Sequence, residues 1–405
     1  MNLPAANNRA ASAHEVLKLV REICPPLAAE RVSLPHAAGR MLREPVSAPE
    51  DQPPFARSSV DGFAVRLDDT AARFRVVDEI RAGDWKPRQL QPGEAVRIAT
   101  GGALPGDGLQ VVMREDAERE GEFVSFSRRD SERNIRFRGE DAHTRQILVE
   151  PGIPLRPGTL GLLASVGCTL PLVTKLPRVL HLATGNEIVP PEETPQSGQI
   201  RDSNSTLVRA FLDQWRIQPT QLRVPEDEAA ARTALESSAR ESDLILVSGG
   251  ASVGEHDFTR HLLEQIGFTI HISKTTARPG KPLIVAQHGN KVAFGLPGNP
   301  LAHFVCLNLY VRAALDAFVG RPVASAFQTG VLLTELHADG NARETFWPAQ
   351  WGLRDGVATL TPLRWSSSGD LTSLASANAL IRVPVSAERL ERSGWVEFIS
   401  TEISS

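Results

Sequence analysis

Three apolar runs in the second half of the chain, Arg178–Thr184, Leu244–Ser248 and Lys291–Gly295, each lead directly into a glycine-bearing loop. The loops are Thr184-Gly185-Asn186-Glu187, Ser248-Gly249-Gly250-Ala251-Ser252-Val253-Gly254 and Gly295-Leu296-Pro297-Gly298-Asn299-Pro300. Helix-patterned stretches separate the runs. Leu207, Val208, Phe211, Leu212 and Trp215 share one face, Glu228–Arg240 is alanine-rich, and Phe258, Leu262, Leu263 and Ile266 form a stripe closed by Gly267. Strands alternating with helices imply parallel pairing, because parallel neighbours need a crossover, with the helices packed on the sheet. Lys281–Gln287 and Lys291–Gly295 flank a Gly289-Asn290 turn as a hairpin-like pair, and a helix is expected from about Leu301 to Phe318.

The rest of the chain reads differently. Ser12, Ala13, His14 and Glu15 form a capping box, with Val16, Leu19, Val20 and Ile23 at helical spacing behind it and Pro25-Pro26 as a stop. From about Asp51 to Arg138, strands at Phe74–Ile80, Leu109–Met113 and Phe123–Ser127 are separated by Gly- and Pro-containing turns, which predicts a small β-rich domain. Ser58–Phe63 and Arg97–Gly102 read as turns. Pro157 opens a short helix running to Val166, and Gly167 is placed to end it in the left-handed conformation. After Arg321, Val331–Leu336, Val357–Leu360, Ala379–Val383 and Trp395–Ile399 predict a final β domain.

A chain of 405 residues exceeds one hydrophobic core, in keeping with several domains. Its 44 basic and 48 acidic residues give a formal net charge of -4, which supplies no general attraction to a phosphate backbone, so nucleic acid is not an expected partner. Cys24, Cys168 and Cys306 are far apart, so no CxxC pair offers a metal or redox site, and they are expected as reduced, buried small hydrophobes. The N-terminus lacks a basic segment leading into an apolar run, and no stretch of about twenty uncharged apolar residues occurs. The expectation is a cytoplasmic protein without membrane contact.

Loops leaving the carboxyl ends of parallel strands gather along one edge, where glycines turn N–H groups toward anions and helix N-termini add positive dipoles. None of the three loops has the P-loop pattern. Glycine also serves simply to leave a strand, so a phosphate-binding role and a purely structural one both stand. Asp257 either N-caps a helix beginning at Phe258 or, with Glu187, puts paired carboxylates at the pocket edge for magnesium. Lys274, Arg278 and Lys281 either end a strand in solvent or add cations beside the sharp path set by Gly280 and Pro282. These features specify an α/β anion-binding protein acting on a nucleotide-like phosphate and name no substrate.

Several segments together resemble the MoeA family, which includes the E domain of gephyrin, and the likeness spans nearly the whole chain. Pro53-Pro54-Phe55 with Asp61-Gly62-Phe63-Ala64-Val65-Arg66 is similar to the family's PPF…DGYAV segment, and Arg97–Gly101 with Leu104-Pro105-Gly106 to its R-I-x-T-G…P-x-G segment. Arg138-Gly139-Glu140-Asp141 matches R-G-E-D, and Gln199-Ile200-Arg201-Asp202-Ser203-Asn204 is close to G-x-I-x-D-[ST]-N. Ser248–Gly254 with Asp257 resembles S-G-G-x-S-x-G…D, while Arg278–Pro282 and Gly295–Pro300 resemble the last two signatures.

The resemblance implies a multidomain α/β plus β protein. Its parts would be an elongated N-terminal domain (residues 1–50 and 139–175), an inserted β-rich domain (51–138), a doubly wound molybdopterin-binding α/β domain (176–322) and a C-terminal β domain (323–405). It also implies a homodimer with a shared cleft, and a reaction in which adenylylated molybdopterin and molybdate give AMP and molybdenum cofactor with Mg2+. Asp61, Thr100, Asp141, Glu187 and Asp257 would be the catalytic residues, with Glu187 and Asp257 on the metal. Gly249, Gly250, Ser252, Gly254, Lys274, Arg278, Lys281, Pro297, Gly298, Pro300 and Ser368 would bind substrate, and a transient contact with the adenylylating enzyme is implied. Ala56, Arg57, Ala302 and Pro348 depart from the family pattern, Pro348 standing where an arginine is common. The competing readings are a molybdopterin adenylyltransferase, disfavoured by the long N-terminal half, and a non-catalytic scaffold paralogue, disfavoured by the retained acids.

Overall fold

The structure, a computed structural model, describes residues 9–129, 133–225, 227–249, 253–321 and 327–402, with the backbone alone at 253–257. The chain forms two compact units, one of Glu44–Pro151 with Gly158–Thr169, the other of Met1–Arg43, Gly152–Pro157 and Leu170–Ser405.

In the larger unit a six-stranded sheet runs in the order Thr220–Val224, Val179–Thr184, Leu244–Ser248, Lys291–Leu296, Pro282–His288, Thr269–Lys274. The first four strands are parallel, as the alternation with helices predicts; Pro282–His288 then pairs antiparallel with Lys291–Leu296 across the Gly289-Asn290 turn, and Thr269–Lys274 pairs antiparallel with Pro282–His288. Every residue of Val179–Thr184 and Leu244–Ser248 is buried, which is why these strands read as continuous apolar runs and show no alternation. Leu244, Leu246 and Phe294 enter one core and Ile245, Val247 and Ala293 the other, so the sheet is covered on both faces. The first core also takes Val16, Leu17 and Val20 of the capped helix Ala13–Ile23. Pro300–Val319 is long and apolar enough to cross a membrane by length and composition, but 78% of it is buried as the core helix of this unit.

Two expectations change here. The helix carrying Phe258 begins at Val253 and runs to Gln265, so Asp257 lies inside it and cannot be its N-cap. Cys168 is partly exposed, while Cys24 and Cys306 are buried as expected.

The same unit holds a closed barrel of Gln328–Leu332, Val357–Pro362, Thr345–Arg354, Ala379–Val383 and Trp395–Ser400. Thr345–Arg354 is a strand beyond those expected, and it carries Pro348 in its interior although it is paired on both sides. Here Pro348 is buried between Ala379–Val383 and Val357–Pro362 and gives its carbonyl to the Leu363 N–H at 2.9 Å.

The smaller unit carries a six-stranded sheet in the order Leu109–Met113, Gly62–Arg66, Glu94–Ile98, Phe74–Ile80, Phe123–Phe126, Ala117–Glu120. Two stretches read as turns contribute strands: Gly62–Arg66 is central, and Glu94–Ile98 runs up to the Ala99–Gly102 turn. Their inward residues Ala64, Val96 and Ile98 join Ile80 and Val111 in one core. The helix Pro157–Ser165 forms as expected, and Gly167 takes φ +72°.

Candidate active site

The carboxyl edge of the α/β sheet and the barrel enclose a cleft of about 570 Å³. Arg278–Pro282, Pro297, Asn299 and Ala302 line the sheet side, and His337–Asp339, Arg343, Trp347 and Trp365–Ser368 the barrel side. Of the expected substrate-binding residues, Arg278, Lys281, Pro297 and Ser368 face this space. Arg278 pairs with both carboxylate oxygens of Asp339 at 2.6 and 2.5 Å, and its guanidinium lies 5.7 Å from the Trp365 ring centroid. That pairing holds the Asp339 carboxyl below its ordinary value, and burial pulls Arg343 down, with Arg278 adding repulsion. Three cations against one carboxylate leave the cleft net positive, so it suits an anion. Lys274 ends the edge strand and gives its carbonyl to Ala11, outside the cleft lining.

The proline-glycine loop is tied on several sides. Asn299 stands at the N-cap position of Pro300–Cys306 but makes no cap; its amide donates instead to Ser368 Oγ at 2.8 Å. The Leu301 N–H donates to the Ser368 carbonyl at 3.0 Å, so Ser368 joins loop to barrel. From below, Asn204 Nδ2 donates to the Gly298 carbonyl at 2.7 Å and His303 Nδ1 bonds the Pro297 carbonyl at 3.0 Å.

A second group of polar side chains sits under the Ser248-Gly249 turn. Arg209 donates through Nε and Nη2 to Gln221 Oε1, which fixes the amide so that Nε2 donates to His181 Nδ1 at 3.1 Å. His181 therefore carries its proton on Nε2 and donates to Ser248 Oγ at 2.7 Å. Burial, then the neighbouring His303, pushes His181 down to about 3, and burial takes His303 to about 4, so both are neutral near pH 7. Burial raises the Asp202 carboxyl, yet bonds from Ser205 and Arg223 outweigh it and keep the group below its ordinary value. At Gly249 a β-carbon would lie 2.6 Å from Thr184 Oγ1, which explains the residue without any ligand. The carboxylate of Glu187, half-exposed, folds back over Gly185 and has no hydrogen-bond or ion-pair partner among the described residues.

In the smaller unit, Asp61 and Thr100 form one constellation. Asp61 Oδ1 accepts from Thr100 N at 2.7 Å and from Thr100 Oγ1 at 2.8 Å. These bonds, the backbone one first, lower its carboxyl, so Asp61 is an exposed anion at the mouth of a turn. Asp141 pairs with Arg136, and in the same arginine-glycine turn Arg138 binds Asp51.

Gly250 and Ser252 lie outside the described residues, as do the side chain of Asp257 and the surroundings of Gly254. Asp339, Arg343, Trp347 and Trp365 are in the cleft without having been singled out as binding residues. His181 could have been flagged as a lone histidine in an apolar strand; nothing local marks Asp339 or Trp365.

Residues 11–167 match the family model of the MoeA N-terminal region (domain I and II), residues 181–317 that of a probable molybdopterin binding domain, and residues 329–400 that of the MoeA C-terminal region (domain IV). The molybdopterin molybdenumtransferase of Staphylococcus epidermidis is 31% identical over 386 residues, covering 92% of this chain and 91% of that protein. The molybdopterin molybdenumtransferase of Bacillus subtilis is 33% identical over 368 residues, covering 88% and 86%. The molybdopterin biosynthesis moeA protein from Pyrococcus horikoshii OT3 superposes with a TM-score of 0.78 at 27% identity, over 97% of this chain and 100% of that one. The chain thus belongs to the MoeA family of molybdopterin molybdenumtransferases, transferases that insert molybdenum in the biosynthesis of its cofactor.

Proposed function

We propose that the enzyme takes adenylylated molybdopterin and molybdate, releases AMP and molybdenum cofactor, and binds an oxyanion of this reaction in the cleft between sheet and barrel. The observation that carries this reading is the convergence of Arg278, Lys281 and Arg343 with the Ser366–Ser368 run around one cleft. Pro348 leaves no charge at a position where the family often has one, and Arg343 supplies a cation from the same strand's approach. Arg278 and Lys281 neutralise the anion, Ser368 holds the Asn299 loop against it, and Trp365 limits the space beside Arg278.

Among the described residues no group of three His, Cys, Asp or Glu could cage a metal. Magnesium needs only one or two carboxylates when phosphates supply the other oxygens, so the carboxylate of Glu187, without a partner among the described residues, fits it. Glu187 and Asp257 would hold the ion, which would offset phosphoanhydride charge during cleavage. Asp61 and Thr100 of the inserted domain and Asp141 just beyond it serve as acid–base and positioning groups. Gly249, Gly250, Ser252 and Gly254 shape the pterin-phosphate loop, and Gly298 and Pro300 its neighbour, with Lys274 as a more distant cation. We retain the four-domain division, a cytoplasmic homodimer and transient contact with the adenylylating enzyme; a monomeric mass in sedimentation at working concentration would reject the dimer.

The test incubates the purified protein with adenylylated molybdopterin, magnesium and molybdate and measures AMP. Glu187→Gln and Asp257→Asn are expected to lower AMP release at least about tenfold, roughly 1.4 kcal/mol in the barrier, and Lys281→Ala to raise the molybdate requirement by about as much. Parental behaviour of all three variants overturns the assignment.

A further inference from the structure

We propose that His303 and Asn204 are positioning residues that fix two successive peptide planes, so that the N–H groups of Gly298 and Asn299 face an oxyanion in the cleft. This rests on the oxyanion reading of that cleft and assigns to two residues outside its lining a role in it.

The argument is one of peptide geometry. In a planar trans peptide the carbonyl of one residue and the N–H of the next point in opposite directions. The Pro297 carbonyl is held by His303 Nδ1 at 3.0 Å and the Gly298 carbonyl by Asn204 Nδ2 at 2.7 Å. Neither peptide is among the cis bonds. The Gly298 and Asn299 N–H groups therefore turn away from these two partners, and neither has an acceptor among the described residues. Successive N–H groups directed outward make an anion-binding concavity. Pro297 and Asn299 line the cleft that holds Arg278 and Lys281, so the anion these donors would meet is the one the cations attract.

The chemistry of the two side chains supports the assignment. Because a carbonyl only accepts, the His303 proton is on Nδ1, and the bare Nε2 is enclosed without a partner among the described residues, as is Asn204 Oδ1. His303 is fully buried, where a leucine would fill space with no unpaired atom. What an apolar side chain lacks is the donor that holds the Pro297 carbonyl.

The experiment compares His303→Leu, which removes the donor, with His303→Asn, whose amide nitrogen occupies the Nδ1 place, and Asn204→Asp, which keeps the shape and sets an acceptor against the Gly298 carbonyl. Molybdate alone and inorganic phosphate alone are titrated into the full-length protein by calorimetry, and KM and kcat are measured for AMP release. His303→Leu and Asn204→Asp are expected to weaken oxyanion binding about tenfold and raise KM more than they lower kcat, with His303→Asn recovering most of the loss. A loss confined to molybdate or to phosphate identifies which oxyanion the loop holds. Folded variants that bind as the parent does, while Lys281→Ala weakens binding, overturn the positioning role and leave the cleft reading intact. Parental binding by Lys281→Ala as well overturns both. Should His303→Leu fail to fold, Asn204→Asp decides alone: lost affinity at an unchanged melting temperature supports the proposal, and unchanged affinity overturns it.

Discussion

The acid of the smaller unit and the buried histidines of the α/β part are polar groups held in opposite ways. Asp61 is exposed and stays ionised, because a turn a few residues past a neighbouring strand offers it the Thr100 N–H and hydroxyl. His181 is sealed in the core and stays neutral, because burial makes a charge there too costly and its ring is fixed by Gln221 and Ser248. One arrangement presents a charge to solvent; the other keeps charge out beneath the loop it supports. The difference teaches that an exposed carboxylate can be set by local turn chemistry, whereas loop orientation in the α/β part depends on residues from four separate elements.

The largest expected effect tests the buried side of this contrast. His181 and His303 have folded values of about 3 and about 4 against an ordinary 6.5, so the unfolded chain binds protons between those limits that the folded one refuses. Their contribution is complete above pH 6.5 and is lost as pH falls toward the folded values, on the order of 3 kcal/mol or more by about pH 4. Urea unfolding across that range reads it. His181→Gln, which keeps a donor near the Nε2 place and removes the titration, should flatten the slope; an unaltered slope assigns the acid loss to other groups.

A smaller effect concerns how the backbone of each unit excludes side chains. A β-carbon on Gly62 would lie 2.0 Å from the Val112 carbonyl oxygen, an atom fixed in the Leu109–Met113 strand, whereas one on Gly249 meets a hydroxyl that can rotate. Gly62→Ala is expected to cost about 2–3 kcal/mol and Gly249→Ala clearly less. Denaturation midpoints rank them, and a reversed order would break the comparison.

The smallest effect tests the exposed side. Thr100→Val keeps the N–H bond to Asp61 and removes the hydroxyl bond, so the carboxyl rises toward its ordinary value while stability barely moves. If Asp61 must be ionised for turnover, the acid limb of the AMP-release profile shifts to higher pH. A limb that stays in place would show that another group sets it.

Much of the fold was legible because it depends on local pattern. The capping box predicted the helix Ala13–Ile23, and the buried runs predicted the central strands of the α/β sheet. The misreadings have equally local causes. Gly62 and Gly101 made strand ends look like turns, the strand Thr345–Arg354 went unanticipated, and a carboxylate at Asp257 looked like a cap because the apolar helical stripe begins only at Phe258.

By itself the sequence determined which segments become strands, which loops carry glycine, and which acids and cations are available, since each of these follows from side-chain volume, periodicity and backbone freedom over a few neighbouring residues. Only the tertiary structure decided that Ser368 ties the Asn299 loop to the barrel, that Asp339 and Trp365 flank Arg278, and that Asn204 holds the Gly298 carbonyl. Hydrogen bonds between residues 61 to 94 positions apart leave no local signature; they form because packing the sheet, its helices and the barrel brings the partners within bonding distance.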